Sequence, residues 1–188
     1  MKITKEQARA NRRHVVETAA RLFREHGYDG VGVATLMAAA GFTHGGFYKQ
    51  FASKAELIAE AAAIGLQQTA ERSKGSPPGE FLRKYLSREH RDAPADGCSL
   101  AAMCGDAARQ DPMVKAVFAD GLESLLENLE RDSPQPDEGS RQRARARRLS
   151  NIAHAVGALL LSRACPDDSL MADEILEACR LEILPKKT

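Results

Sequence analysis

The segment that most constrains this chain is residues 33–51, VATLMAAAGFTHGGFYKQF. Val33, Leu36, Met37 and Ala40 stand at i, i+3, i+4 and i+7, the apolar stripe of a short helix. Gly41 supplies a left-handed residue to stop that helix, and Thr43 is an N-cap for the next one. In the second helix Phe47 and Phe51 lie one turn apart and point inward together. Gly45, Tyr48 and Lys49 are left on the outer face, with His44 at its leading edge. Two short helices, a glycine-containing turn and an outer face of small, aromatic and basic residues predict a helix-turn-helix.

That outer face suits DNA. The start of the second helix presents backbone N–H groups to a phosphate, and Gly45 and Gly46 let the backbone come close. Two glycines in so short a helix cost roughly 1 kcal/mol each. Packing of Phe47 and Phe51 must therefore hold it in place. The competing reading is a tight helical hairpin with glycines at a close crossing.

The run GYDGVGVATLMAAAGFTHGGFYKQFASKAELI, with the helix before it, resembles the DNA-binding head of TetR/AcrR-type helix-turn-helix transcriptional regulators. The likeness covers about the first third of the chain, and its G-F-Y-x-x-F-x-S-K portion is specific. It implies an all-α protein in which the Tyr48 hydroxyl and Lys54 contact DNA phosphates. It also implies a body that binds a small-molecule inducer and a dimer formed by the last two helices as a four-helix bundle. Family members often carry Ser or Thr near positions 31 and 32, where a hydroxyl touches a phosphate. Here Val31 and Gly32 stand there, and that hydroxyl is missing.

Charge is distributed as such a protein requires. Residues 1–54 hold nine Lys or Arg against four acids (+5), and residues 55–188 hold eighteen against twenty-two (−4), summing to the net +1. A basic head on an acidic body fits a phosphate-binding module joined to something else. The charged start MKITKEQARANRR has no apolar run behind it, and no stretch reaches membrane-spanning length, so the expected location is cytoplasmic. Cys98, Cys104, Cys165 and Cys179 have no CxxC spacing and read as reduced thiols.

In chain order, about nine helices are expected, with a DNA-binding domain over 1–52 and a helical ligand-binding and dimerisation domain over 53–188. Thr4 with Gln7 marks a capping box, Val16, Ala19, Ala20 and Phe23 form an apolar face, and Gly27 ends the first helix. Arg9, Arg12 and Arg13 near its start are either a solvated surface or phosphate contacts. Ser53 with Glu56 forms a second capping box. Lys54 then sits in a first turn, where its charge opposes the helix dipole and an anionic partner would relieve it. Residues 73–79, SKGSPPG, read as a loop, and Phe81, Leu82, Tyr85 and Leu86 begin another amphipathic helix. A short Ala-rich helix is expected over 98–109, and Asp111-Pro112 opens a long one. Residues 133–140, SPQPDEGS, read as a mobile loop. The arginines at 141, 143, 145, 147 and 148 scatter around a helix and have acids nearby, so they read as a solvated face. Leu149, Ile152, Ala153, Val156, Leu159 and Leu160, then Ala172, Ile175, Leu176, Cys179 and Ile183, form two apolar stripes. These pack either within the subunit or against a second copy.

The body's residues 55–132 are expected to enclose the inducer pocket, with Phe81, Tyr85, His90, Met103, Phe118 and Leu122 as its lining or as plain core. Cys98, where a helix should start, is either a buried inert thiol or an electrophile- and oxidant-sensing one. Expected partners are a palindromic double-stranded operator, an unidentified inducer and a second copy of the chain. No membrane partner, metal or cofactor is expected. An enzyme is the competing class, with Cys98 and His90 or His154 as its grounds. Yet no Gly-rich phosphate loop, HExxH, metal spacing or patterned carboxylate pair is present. Non-specific DNA packaging is the third class. The reading helix offers base edges mainly His44 and Lys49, with Thr43 a lesser contributor.

Overall fold

A computed structural model describes residues 4–75, 78–131 and 137–184. Among these the protein is all-helical, with nine α-helices and two 3-10 turns. Helix α1 (Lys5–His26) opens at Thr4, whose hydroxyl accepts the Gln7 N–H at 3.1 Å, and ends at Gly27 with φ +76°. The Gln7 side chain turns to Asn11 instead of completing the box. Helix α2 (Val33–Ala39) starts behind Gly32, and Gly41 leaves it at φ +77°. A 3-10 turn (His44–Lys49) follows, then helix α3 (Lys54–Ser73), capped by Ser53. The Glu56 carboxylate takes the Ala52 N–H at 2.6 Å and pairs with Arg12 at 2.7 Å.

The second helix of the motif is thus a 3-10 segment of six residues. Its two glycines lower α-helical propensity, and so short a run gains little from the i→i+4 ladder. Thr43 takes the N-cap position, but its hydroxyl makes no capping hydrogen bond.

Val16, Ala19, Phe23, Leu36, Met37, Phe47 and Phe51 are buried in one core with Leu57 and Ile58 of α3. Met103 and Ala107 of α6 (Ser99–Ala107) and Val114 of α7 (Pro112–Arg131) complete it, so the head is packed onto the body. Asp111 caps α7 through the Val114 N–H at 3.1 Å. Arg12 is drawn into this frame. It pairs with Glu56 and Glu60 of α3, and its guanidinium lies 4.2 Å from the Phe51 ring centre. Arg9 and Arg13 remain exposed.

A second core joins α3 and α6 to α4 (Pro78–Tyr85), α7, α8 (Glu138–Arg163) and α9 (Leu170–Ile183), with α5 (Arg88–Asp92) running alongside. Helix α8 begins earlier than the polar composition of residues 133–140 suggests. Asp137 accepts the Ser140 N–H at 2.9 Å and starts the helix at Glu138, while residues 133–136 lie outside the described ones. Residues 76 and 77 of the expected Pro-Pro loop do so too. Arg145 makes a forked pair with Glu123 across α7 and α8, and Arg141 pairs with Glu138, the ordinary partnerships that charge spacing suggests. Such exposed pairs are screened by solvent and add little to stability.

Candidate nucleic-acid interface

Phe47 and Phe51 are buried to 1% and 2% exposure and stack with ring centres 5.4 Å apart. Tyr48 stands edge-on to Phe47 at 5.2 Å yet is 68% exposed, so its ring is braced at the base and free at the hydroxyl. Thr43, His44, Gly45 and Lys49 are exposed beside it. A side chain built at Gly45 would meet nothing within 4 Å, so the backbone there is open to close approach. Five of the six residues named from sequence therefore share one outward face.

Lys54 differs. Its ammonium donates to the Tyr28 carbonyl at 2.5 Å, tying the start of α3 to the turn after α1. Two of its three donors remain for an anion. The Tyr28 N–H donates to the Asp106 carboxylate of α6 at 3.0 Å, a link between head and body that no spacing rule in the sequence announces. Val31 is buried in the head core, and Gly32 caps α2 with its backbone alone.

Five of the six residues expected around a pocket lie in or against the packed cores, and His90 is half-buried beside Tyr85. Met103 is 3% exposed in the head core, and Phe118 and Leu122 fill space along α7. Tyr85 packs on Phe81 at 5.8 Å and on His90 at 4.7 Å. Burial raises the Tyr85 phenol well above its ordinary pKa, and the neighbouring Cys98 thiol adds to the effect. Two clefts open elsewhere. One of about 580 Å3 lies among α1, α5, α6 and α8, and one of about 370 Å3 lies between α3 and α7. Arg24 lines the larger. Its sequence signal is a guanidinium set inside the apolar stripe of α1, next to Phe23 and one turn after Ala20.

His90 is fully engaged. Its Nδ1 lies 2.7 Å from the Tyr85 carbonyl, and Nε2 accepts the Cys98 N–H at 3.0 Å, an arrangement that requires the neutral ring protonated at Nδ1. Burial lowers its pKa, against the opposing pull of the Tyr85 carbonyl. Because the folded pKa lies below the unfolded value, the neutral ring's contribution is complete above about pH 6.5 and declines as pH falls through that value. Urea unfolding from pH 7.5 to 5 should show stability falling in that window, with a shallower decline in His90→Gln.

Cys98 is 5% exposed at the start of α6, so a reagent reaches its thiol only when this region opens. Among the described residues no group of three His, Cys, Asp or Glu side chains is placed to hold a metal ion, and no helix is long and apolar enough to cross a membrane.

Comparison with known proteins agrees with this geometry. Residues 15–61 match the family model of bacterial regulatory proteins, tetR family. Over 82 residues the chain is 35% identical to the HTH-type transcriptional regulator AcrR of Shigella flexneri, covering 44% of this chain and 36% of that protein. Over 110 residues it is 29% identical to the HTH-type transcriptional repressor AcnR of Corynebacterium efficiens, covering 58% and 57%. The chain thus spans about a third to somewhat over half of these relatives' lengths. A tetR-family transcriptional regulator from Streptomyces coelicolor shares the fold, with a TM-score of 0.67 at 19% identity over 93% of this chain and 79% of that one.

Proposed function

We propose that this chain, which belongs to the tetR family of bacterial regulatory proteins, represses transcription as a homodimer on a palindromic DNA operator and releases it when a small inducer binds. The observation that carries this reading is the outward face of Thr43, His44, Gly45, Tyr48 and Lys49, held on buried Phe47 and Phe51. In the major groove the Tyr48 hydroxyl and Lys54 take phosphates, while His44 and Lys49 reach base edges. Val31 and Gly32 add no hydroxyl, so contact at the start of α2 is through the backbone alone.

The dimer reading rests on what α8 and α9 leave uncovered. Leu159 and Leu176 of the expected stripes are buried in the subunit's own core, and Ala172 is buried as well. Leu149, Leu160 and Leu161 on α8, and Leu170, Met171 and Leu181 on α9, remain exposed. An apolar face of this kind on adjacent helices marks an association surface. A second copy covers it by two-fold symmetry and sets two heads about 34–36 Å apart, or a multiple of that. An inducer acts by its difference in affinity for the two head spacings.

The test is duplex selection from a random pool, followed by anisotropy titration of the selected duplex at fixed salt. Tyr48→Phe and Lys49→Ala should each weaken binding about 5- to 20-fold, the loss of one charge-assisted phosphate or base contact. Light scattering should give a dimer. Equal affinity for selected and random duplexes, or a monomer at micromolar concentration, would defeat the reading.

A further inference from the structure

The larger cleft, about 580 Å3 among α1, α5, α6 and α8, has an unusual wall. Arg24, Arg91 and Arg163 all line it. Arg91 is saturated, bonding Asp92, Asp167, Ser162 and the Cys165 carbonyl. Among the described residues, Arg24 and Arg163 have no such carboxylate partners. Arg24 is 8% exposed, and its Nε donates to the Ala95 carbonyl at 2.6 Å, with a long 3.4 Å contact from Nη1 to the Ser99 hydroxyl. Arg163 donates to the Arg91 and His90 carbonyls at 2.9 and 2.8 Å. Burial lowers the pKa of both guanidiniums, and Arg72 repels Arg24 further. Two desolvated cations held by backbone carbonyls and, for Arg24, one long hydroxyl contact leave positive potential that an anion would neutralise.

The remaining wall sets the class of anion. Ala101 and Ala102 of α6 and Leu160 of α8 give an apolar side, which suits an organic body. Asp92 and Asp167 stand at the rim, each already paired with Arg91, and they disfavour a second negative charge. Glu25 at the edge faces Arg21 and His26 at 3.8 Å. We propose that this cleft binds a small organic monocarboxylate, its oxyanion held by Arg24 and Arg163 and its apolar body against Ala101, Ala102 and Leu160. On the regulator reading above, on which this part rests, that is the chemical class of the inducer. The site joins α1, which carries the head, to α8, which carries the exposed apolar face. Its floor, α6, holds the head turn through Asp106 and the Tyr28 N–H.

The experiment is isothermal titration of the full chain without DNA, using benzoate, hexanoate, benzamide and inorganic phosphate. At least one carboxylate should bind, with benzamide about tenfold weaker or worse, because a fork-to-carboxylate contact is lost. Arg24→Gln and Arg163→Gln should each weaken the carboxylate about tenfold. Ala102→Leu keeps both arginines and narrows the cleft, so it should lose binding with its circular dichroism unchanged. Failure of both carboxylates at roughly 10 mM overturns the proposal. Benzamide binding as well as benzoate, phosphate binding as tightly as the carboxylates, or undiminished binding in a folded Ala102→Leu does the same. Because no DNA is present, carboxylate binding by a protein that ignores every duplex keeps this site and removes the regulator reading. A sequence-specific DNA binder indifferent to both carboxylates does the reverse.

Discussion

Replacing Phe47 by alanine is expected to lower the unfolding free energy by about 3–5 kcal/mol, the usual cost of removing a fully buried aromatic ring. For a chain of this size that is a fall in Tm of roughly 8–15 °C. The ring is 1% exposed, stacks on Phe51 at 5.4 Å and supports Tyr48 at 5.2 Å. The segment it anchors has little stability of its own, since Gly45 and Gly46 occupy two of its six positions. Loss of the ring should therefore release Tyr48 and Lys49 from their common face, and duplex affinity should fall with stability. Phe47→Leu, which keeps most of the buried volume, should cost less than about 1.5 kcal/mol and keep DNA binding. If Phe47→Ala melts like the parent and binds the selected duplex equally well, the phenylalanines do not brace the face.

The second large effect lies far from the head. Arg91 is 3% exposed and ties α5 to the end of α8 and the turn beyond it. Its Nε donates to both the Ser162 carbonyl and hydroxyl at 3.1 Å, Nη2 to the Cys165 carbonyl at 3.0 Å, and Nη1 to Asp92 and Asp167. Arg91→Ala removes the donor to the Ser162 hydroxyl and the Cys165 carbonyl, while the Ser162 carbonyl keeps the Cys165 N–H at 3.2 Å, and should cost about 2–4 kcal/mol. The two carboxylates contribute less to the loss, because Asp167 is 95% exposed and regains water. Arg91→Lys keeps the charge but cannot reproduce the planar fork, so it should recover only part of the stability. Urea midpoints with unchanged slopes measure this directly. A midpoint for Arg91→Ala within error of the parent would show that the network holds nothing together.

Much of this architecture is legible because the signals are local. Gly27 and Gly41 adopt the positive φ that their placement after apolar stripes requires. Thr4, Ser53 and Asp111 each accept the N–H three residues on, as cap spacing predicts. The inward turn of Phe47 and Phe51 follows from a spacing of four. Thr43 shows the limit of such rules, since a sound cap residue in cap geometry makes no side-chain bond when the helix it opens is a 3-10 turn. The expected pocket lining shows another. Phe81, Tyr85, Met103, Phe118 and Leu122 have the same helical spacing whether they wall a cavity or fill one, and here they pack in or against the cores, with His90 half-buried beside Tyr85.

By itself the sequence determined the order of helices, the basic head and the residues that face outward from it, because periodicity, caps and left-handed glycines act over a few residues. Tertiary structure decided what each apolar or charged stripe meets. Leu159 and Leu176 went inward while Leu160 and Leu181 stayed out, since packing on the same subunit and packing on a second copy impose the same spacing. Arg12 became a brace and Arg24 a cleft wall for a like reason. An arginine's role depends on which carboxylates and carbonyls the fold brings near it, often from 50 or more residues away along the chain.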